Sequence, residues 1–258
     1  MSLHRRCVGA GPDLVLVHGW GMNGAVWDET AGQLSARCRV TVLDLPGHGG
    51  SGWDHGGGLA DWAAACLDAA PERAVWIGWS LGAQVALRAA LDAPGRVRGL
   101  LAVAGTPRFV RDADWTHAVE ARTLEQFGRA LRGNHRATLE RFLLLQVRGS
   151  DEGKATLRSL RRRLAEAPEP HPGALEAGLD LLAGVDLRPE LPRLAVPSRW
   201  VLGDRDTLAP AGAQADLRRL LPEAEVRVIQ GAGHAPFLSH PVPFLAAVDS
   251  FLDGLEAP

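Results

Sequence analysis

Ser80 stands between two glycines in the segment Gly78-Trp79-Ser80-Leu81-Gly82. An apolar run at 74–77 precedes this segment, and a run of good helix formers at 83–91 follows it. In the pattern G-x-S-x-G a strand turns sharply into a helix, and the glycines leave room that β-carbons would fill. The serine hydroxyl then stands clear of the sheet, where it can attack a carbonyl carbon. An ordinary strand-to-helix turn with serine as its N-cap is the alternative.

A serine hydroxyl is a weak nucleophile at neutral pH and needs a base, usually a histidine that a carboxylate orients. In an open parallel sheet the reactive groups gather at the carboxyl ends of the strands. His234 follows a strand predicted at 226–229, and Asp206 follows one predicted at 199–202. We therefore predict that Ser80, Asp206 and His234 form a catalytic triad, in the chain order expected for this kind of sheet.

Other residues compete for the roles of acid and base. Asp204 lies two residues before Asp206, and capping of the turn is its alternative role. His18 and His48 also follow strands; we interpret His18 as a brace for the turn after the first strand and His48 as a loop residue. The remaining histidines fall in the N-terminal tail, a glycine-rich loop, the helical insertion or a helix start: His4, His55, His117, His135, His171 and His240.

A tetrahedral oxyanion needs two backbone N–H donors that are already in place. The N–H of Leu81, at the start of the helix after Ser80, is the first candidate. The second is expected from the loop after the first strand, where Trp20 would supply its N–H and its indole would form a wall of the acyl pocket. A packing role alone is the alternative for Trp20.

Strands and helices must alternate along the chain to position these residues. Short, mostly apolar runs predict strands at 14–17, 38–43, 74–77, 97–103, 199–202 and 226–229, with helices between them. Such strands indicate a mostly parallel sheet that helices cover on both faces. Between 108 and 186 only helices are predicted, at 115–131, 137–147, 154–165 and 174–182. The sequence therefore predicts an α/β core, residues 1–107 and 187–258, with a helical lid at 108–186.

Composition excludes several classes of function. The chain has 258 residues, of which 46% are hydrophobic, and its net charge is -2. These values fit one large α/β domain and give no electrostatic reason to expect nucleic acid or a membrane surface as partner. We expect no signal peptide and no membrane span. The cysteines at 7, 38 and 66 fit no metal or disulfide pattern. We therefore expect a cytoplasmic monomer without a metal or an organic cofactor.

Five motifs together resemble the α/β-hydrolases, and they occur in the same order along the whole chain. They are His18-Gly19, Asp44-Leu45-Pro46-Gly47-His48-Gly49-x-Ser51, Gly78-x-Ser80-x-Gly82, Gly203-x-x-Asp206 and Gly233-His234. The resemblance implies the α/β-hydrolase fold with a lid insertion. Serine at position 80 argues against the branches that use an aspartate nucleophile.

Within that class the chain resembles a family of methyl ester esterases of biotin synthesis that act on pimeloyl-[acyl-carrier protein]. The resemblance rests on residues 18–23, 78–82, 140–146 and 234–241. It implies that lid residues line the acyl pocket, namely Phe142, Leu143, Leu144, Leu145 and Gln146. It also implies that three basic lid residues hold the acidic acyl carrier protein, namely Arg141, Lys154 and Arg158. The alternatives are a broad short-chain carboxylesterase, a carbon–carbon bond hydrolase of the same fold, and a non-enzymatic receptor.

The lid carries a basic stripe that is visible without the resemblance. Lys154, Arg158, Arg161 and Arg162 share one face of the helix predicted at 154–165. In a chain that is slightly acidic, this is a local excess of positive charge that would attract an acidic partner. A solvated helix face is the alternative.

Overall fold

One sheet of seven strands carries the residues discussed above. The structure, a computed structural model, describes residues 2–54 and 57–256. The strands are β1 (Arg5–Val8), β2 (Asp13–Val17), β3 (Arg39–Leu43), β4 (Ala74–Trp79), β5 (Val97–Val103), β6 (Ser198–Gly203) and β7 (Glu225–Ile229). Their order is β1-β3-β2-β4-β5-β6-β7, and every pair is parallel except β1 with β3. The six longer strands carry the apolar runs that predicted a parallel sheet.

Helices cover both faces of this sheet. They are α1 (Asp28–Leu34), α2 (Leu59–Ala69), α3 (Leu81–Asp92), α4 (Ala121–Gly133), α5 (His135–Gln146), α6 (Gly153–Ala165), α7 (Pro172–Gly184), α8 (Ala213–Leu220), α9 (Pro236–Ser239) and α10 (Pro241–Glu256), with 3₁₀ helices at Gly24–Trp27 and Arg188–Arg193. Alternate residues of β2 belong to different apolar clusters: Val15 and Val17 pack with α2, α3 and α8, and Leu14 and Leu16 with α1 and α10. The predicted α/β fold is confirmed.

Two local predictions were wrong. Strand β1 was not predicted, because it has only four residues, begins with two arginines and is mostly exposed at the edge of the sheet, where it pairs antiparallel with β3. The helix predicted from residue 115 begins at Ala121 instead. Before it, Trp115 is buried in a loop, where its indole Nε1–H donates to Arg108 O at 2.9 Å. An apolar side chain that a loop buries can imitate the periodicity of a helix.

The segment predicted as a lid, residues 108–186, leaves the core and returns to it at one place. Arg108 forms a bridge and a 3.0 Å ion pair with Asp186, and the N–H of Leu187 donates to Pro107 O. Helices α4 to α7 lie between these points. Its status as a separate unit stays a prediction. Within residues 2–54 and 57–256, no helix is both long and apolar enough to cross a bilayer.

Candidate active site

The turn between β4 and α3 holds Ser80 in a strained conformation. Its φ is 56° and its ψ is -118°, values that side chains other than glycine rarely adopt. A β-carbon at Gly78 would lie 2.2 Å from Gly82 O, and one at Gly82 would lie 2.4 Å from His18 O. Both glycines are therefore required by the close approach of backbone. Ser80 occupies the N-cap position of α3, but its side chain makes no capping bond there, so capping does not account for the serine hydroxyl.

The structure brings the three predicted triad residues together. Ser80 Oγ lies 2.8 Å from His234 Nε2, and His234 Nδ1 lies 2.8 Å from Asp206 Oδ2. Nδ1 faces a carboxylate oxygen and therefore carries the imidazole proton, which leaves the Nε2 lone pair to accept the Ser80 hydroxyl proton. Exposed fractions of 2% for Ser80, 1% for His234 and 5% for Asp206 show that the chain of hydrogen bonds is shielded from water.

Asp206 and Asp204 have different partners, which separates the two candidate acids. The second oxygen of Asp206 accepts the N–H groups of Leu208 at 2.8 Å and Ala209 at 3.0 Å, so its carboxylate is fixed on both sides. Asp204 Oδ1 accepts the N–H of Gly231 at 2.6 Å. Asp204 therefore stabilises the turn that precedes His234, in agreement with the turn-capping alternative, and Asp206 bonds to the imidazole.

Two backbone contacts that were not predicted hold His234 in place. Its N–H donates to Gln146 O at 3.0 Å, and its carbonyl accepts the indole N–H of Trp79 at 2.6 Å. One contact comes from the lid and the other from the strand before Ser80. The candidate base is therefore held from two sides, by helix α5 and by strand β4. Neither contact has a sequence signal, because each involves a backbone atom of a distant residue.

The oxyanion loop, residues 18–22, lies against Ser80. A β-carbon at Gly19 would be 3.2 Å from the Ser80 β-carbon. Among the described residues, neither the Trp20 N–H nor the Leu81 N–H has a hydrogen-bond partner. Leu81 begins α3, so its N–H also lies at the positive end of the helix dipole. Both N–H groups are therefore free to donate, as the predicted oxyanion donors must be, and their role in catalysis stays a prediction.

The Trp20 side chain connects the oxyanion loop to the lid. Its indole N–H donates to Leu175 O in α7 at 2.8 Å, and its ring meets Phe142 of α5 edge-on, with 4.8 Å between the ring centroids. Trp20 is buried, so it packs in the core and also contacts the residue expected in the acyl pocket. Both interpretations of its side chain are compatible with this structure.

Helix α5 does not present all five predicted pocket residues to one side. Phe142, Leu143 and Gln146 are buried, but Leu144 is 48% exposed on the outer face. Successive residues of an α-helix are about 100° apart, so five in a row cannot share a face. The prediction that Leu144 lines the pocket is wrong for this conformation. Leu145 is half-buried and packs against the same apolar cluster as Phe142.

Two fully buried imidazoles, those of His18 and His48, form hydrogen bonds with the backbone of the oxyanion loop. His18 Nδ1–H donates to Gly19 O at 2.8 Å, and its Nε2 accepts the N–H of Leu45 at 2.9 Å. His48 Nε2 accepts the N–H of Gly21 at 3.3 Å. Burial lowers the pKa of both, that of His48 to about 3 with the further help of nearby His18. His18 is the brace that was predicted, and His48 is buried rather than a simple loop residue.

The other described histidines have partners elsewhere. His4 bonds to Asp44, His117 lies near Asp216, His135 near Glu169, His171 accepts the Gly173 N–H, and His240 bonds to Ser239. His55 lies outside the described residues. Within the part of the chain that the structure describes, no group of three or more His, Cys, Asp or Glu side chains could hold a metal ion.

Acid should unfold this protein partly through His48. Burial lowers the pKa of this imidazole to about 3 in the folded state, whereas in the unfolded chain its pKa has the ordinary value of 6.5. Its contribution is therefore complete above pH 6.5 and is lost as the pH falls, by about 1.4 kcal/mol per pH unit. We expect the free energy of unfolding in urea to fall about 2 kcal/mol more in the unaltered protein than in His48→Gln between pH 6.5 and about pH 5.

Glutamine is the matched replacement, because its side-chain oxygen can still accept the Gly21 N–H but does not titrate. The two proteins are compared at each pH, so that all other titrating groups cancel. Parallel pH dependences would show that His48 takes up no extra proton on unfolding.

Comparison with known proteins shows the family to which a chain with this fold and this site belongs. The sequence profile of the α/β-hydrolase fold matches residues 12–241. An esterase from Exiguobacterium antarcticum superposes with a TM-score of 0.87 over 97% of this chain and 95% of its own, at 17% sequence identity. An identity this low shows the shared fold alone. The chain belongs to the α/β-hydrolase family, and the resemblance seen in the sequence is confirmed.

Two relatives narrow the family further. A pimeloyl-[acyl-carrier protein] methyl ester esterase from Stenotrophomonas maltophilia (strain K279a) is 45% identical over 254 residues, which are 98% of each chain. A protein of the same name from Xanthomonas oryzae pv. oryzae (strain MAFF 311018) is 44% identical over 250 residues, 97% of this chain and 98% of that one. Within the α/β-hydrolases, the chain belongs to the family of these esterases.

Proposed function

We propose that this protein is a serine carboxylesterase that removes the methyl group from pimeloyl-[acyl-carrier protein] methyl ester. The observation that carries the reaction type is the continuous chain of 2.8 Å contacts from Ser80 through His234 to Asp206, beside two free N–H groups. The substrate is inferred from the relatives, which are named for it and match nearly the whole chain.

In the proposed reaction, His234 Nε2 takes the hydroxyl proton while Ser80 Oγ attacks the methyl ester carbonyl. The Trp20 and Leu81 N–H groups stabilise the oxyanion of the tetrahedral intermediate. Its collapse breaks the bond to methoxide, which takes the proton from His234 and leaves as methanol. Water then attacks the acyl-enzyme while His234 takes one of its protons. The bond between the acyl carbon and Ser80 Oγ breaks, Oγ takes that proton from His234, and the acid leaves as a carboxylate after losing its proton to solvent. Apart from the substrate and water, these steps use only groups of this chain.

Asp206 serves this cycle through the imidazole. Its carboxylate holds the proton on Nδ1 of His234 and stabilises the imidazolium that forms when Nε2 takes the serine proton. Because its other oxygen accepts two backbone N–H groups, the carboxylate cannot rotate freely and keeps its orientation toward the imidazole.

The lid must move before a substrate can reach the serine. Ser80 is 2% exposed, and lid residues Phe142 and Gln146 are buried beside the site. We propose that the acyl chain enters along Phe142, next to the Trp20 indole, when α5 and α7 shift away from the sheet. The Trp20–Leu175 and His234–Gln146 bonds would then break or lengthen, so lid position and site geometry are linked.

The proposed carrier site is the basic outer surface of the lid. Residues 121–165 hold eleven Arg and Lys against four Asp and Glu, a net charge of +7 in a chain whose net charge is -2. Lys154 and Arg158 are exposed and line a groove of about 690 Å³ at the start of α6. Arg141 is also exposed, and its guanidinium lies over the Phe127 ring at 5.9 Å. This surface suits an acidic carrier protein.

Ion pairing distinguishes these three cations from their neighbours on α6. Arg161 pairs with Glu140, and Arg162 and Arg163 pair with Glu29. Within residues 2–54 and 57–256, Arg141, Lys154 and Arg158 form no ion pair, so their charges remain available to a partner. This difference supports the three residues over the rest of the basic stripe.

Charge reversal tests the docking surface. We expect Arg141→Glu combined with Lys154→Glu and Arg158→Glu to raise KM for the carrier-bound ester by about tenfold or more, because three attractive charges become repulsive. The kcat/KM for a small free methyl ester should change by less than about twofold, since that substrate does not touch the surface. Both constants are measured by steady-state kinetics.

The matched control reverses three exposed cations of the core that form no ion pair among the described residues, Arg5, Arg73 and Arg218, which changes the net charge equally. Equal losses in the lid and core variants would show a general effect of charge, and equal losses on both substrates would show that the lid residues are structural. In the unaltered protein, added salt should raise KM for the carrier-bound ester only.

Mass spectrometry of methyl pimeloyl carrier protein, before and after incubation, tests the function itself. The proposal predicts that the carrier-bound acyl group loses the mass of one CH₂ unit and that its thioester stays intact. Hydrolysis of free short esters without reaction of the carrier-bound one would favour a broad carboxylesterase. Gel filtration and fractionation test the cytoplasmic monomer that the sequence led us to expect.

A further inference from the structure

The peptide bond between Gly19 and Trp20 has a carbonyl group and an N–H group that point in opposite directions. Its carbonyl belongs to Gly19 and its N–H to Trp20, and in a planar trans peptide these two bonds point to opposite sides. The carbonyl accepts His18 Nδ1–H at 2.8 Å and the Met22 N–H at 3.3 Å. The N–H has no partner among the described residues. Whatever fixes this carbonyl therefore also fixes the direction of the proposed oxyanion donor.

The partners of His18 leave only one state for its ring. A carbonyl oxygen can only accept, so Nδ1 must carry a proton. The N–H of Leu45 can only donate, so Nε2, at 2.9 Å, must carry a lone pair. The ring is thus neutral, protonated on Nδ1 and fully buried. It connects the loop at 44–48 with the oxyanion loop by two bonds of opposite direction.

The oxyanion loop is held on the other side of Trp20 as well. The N–H of Gly21 donates to His48 Nε2 at 3.3 Å, and His48 Nδ1–H donates to Pro46 O at 2.9 Å. The two imidazole centroids are 5.3 Å apart. Both peptides that flank Trp20 are therefore tied to the same neighbouring loop, and the Gly19 α-carbon at the start of the donor peptide lies against Ser80.

We propose that His18 is a positioning residue for the hydrolysis: by donating Nδ1–H to the Gly19 carbonyl, it turns the Trp20 N–H toward the oxyanion that forms at Ser80. This inference rests on the proposed esterase function. His18 touches neither substrate nor the reacting atoms. Its loss should therefore weaken transition-state stabilisation and leave binding of the ester unchanged.

Two substitutions separate its two bonds. Asparagine places an amide N–H where Nδ1 lies and can keep the bond to Gly19 O, whereas glutamine places an acceptor where Nε2 lies and can keep only the bond to Leu45. We expect His18→Gln to lower kcat on a p-nitrophenyl ester by about tenfold to hundredfold with KM unchanged, part of the loss expected for removing an oxyanion donor. His18→Asn should keep kcat within about fivefold. His117→Asn, at an exposed site, is the control.

A second readout follows the oxyanion directly. A trifluoromethyl ketone forms a hemiketal with Ser80, in which the Ser80–carbon bond forms, His234 takes the proton and the carbonyl oxygen becomes an oxyanion. Its inhibition constant should rise in His18→Gln by the same factor as kcat/KM falls. Equal losses of kcat in the asparagine and glutamine variants, or an inhibition constant that does not follow kcat/KM, would overturn the inference.

One measurement uses only the unaltered protein, so its result does not depend on whether the variants fold. Nitrogen-15 NMR of the unaltered protein should show the His18 ring protonated on Nδ1 and unprotonated on Nε2, and the opposite tautomer would contradict the proposal. The outcomes also distinguish a failure of the proposed esterase function from a failure of the role assigned to His18. If the unaltered protein hydrolyses no ester, the proposed function and this inference are both wrong. If the unaltered protein is active but His18→Asn and His18→Gln lose the same amount of kcat, only the inference is wrong.

Discussion

Ser80→Ala is expected to lower kcat on every ester substrate by about 10⁵-fold to 10⁶-fold, the loss typical of removing the nucleophile of such a triad. Ser80 Oγ bonds only to His234 among the described residues, and the site is otherwise unchanged. The thermal unfolding temperature should therefore stay the same or rise slightly. Alanine keeps the β-carbon contacts of Ser80 and removes one polar atom from a buried, strained turn. Progress curves at high enzyme concentration measure the remaining rate.

Ser35→Ala is the matched control, since Ser35 is half-buried at the end of α1 and its hydroxyl bonds only to Gly32 O among the described residues. It should retain full activity. A Ser80→Ala protein that keeps more than about a hundredth of the rate would show that another nucleophile or a bound water carries the reaction. A non-enzymatic receptor would keep its function in this variant.

Asp206→Asn is expected to lower kcat by about 10³-fold to 10⁴-fold, with the fold intact. The asparagine amide would donate to His234 Nδ1, which forces the imidazole proton onto Nε2. In that tautomer the ring cannot accept the hydroxyl proton of Ser80. The loss should appear in kcat rather than in KM, because Asp206 lies behind the imidazole and does not meet the substrate.

Asp204→Asn is the control that the chain itself provides. The asparagine oxygen can still accept the Gly231 N–H, so this variant should keep activity within about threefold. The comparison decides between the two acids that the sequence left open. If Asp204→Asn loses as much activity as Asp206→Asn, or more, then the acid of the triad has been assigned to the wrong carboxylate.

The sequence predicted those features that local stereochemistry demands. The turn at Ser80 could be predicted because only glycine fits beside it, at Gly78 and Gly82, and because a strand and a helix must flank it. The six apolar strands could be predicted because a doubly covered parallel sheet tolerates few polar residues in its strands. Positions of Asp206 and His234 followed from the rule that strands present their carboxyl ends at one edge.

Contacts between distant backbone atoms could not be predicted. The Trp79 indole and the carbonyl of His234 are 155 residues apart, and the carbonyl of Gln146 would be present whatever side chain stood there. The polar strand β1 gives no apolar pattern, because only its pairing with β3 makes it a strand. The resemblance implied that every residue from Phe142 to Gln146 lines the pocket. Consecutive residues of a helix point in different directions, and Leu144 is therefore on the exposed side of α5.

The buried state of His48 also had no sequence signal. Glycines on both sides favour a loop, and the loop is indeed present. It packs against the start of α7, where the N–H of His171, the residue before that helix, donates to Gly47 O at 2.8 Å. A polar residue in a glycine-rich loop is buried only when another element covers it. Here the lid supplies that cover, and the imidazole finds its partners in Gly21 and Pro46.

The most direct test of the central claim is covalent labelling of the nucleophile. A fluorophosphonate is incubated with the unaltered protein and with a His234→Ala variant, and peptide mass mapping locates the adduct. We expect the unaltered protein to carry one phosphonyl group on Ser80, with fluoride released and the hydroxyl proton passed to His234, and the variant to react at least about a hundredfold more slowly. A label on any residue other than Ser80, or an unlabelled Ser80 in a protein that still hydrolyses the ester, would contradict the account.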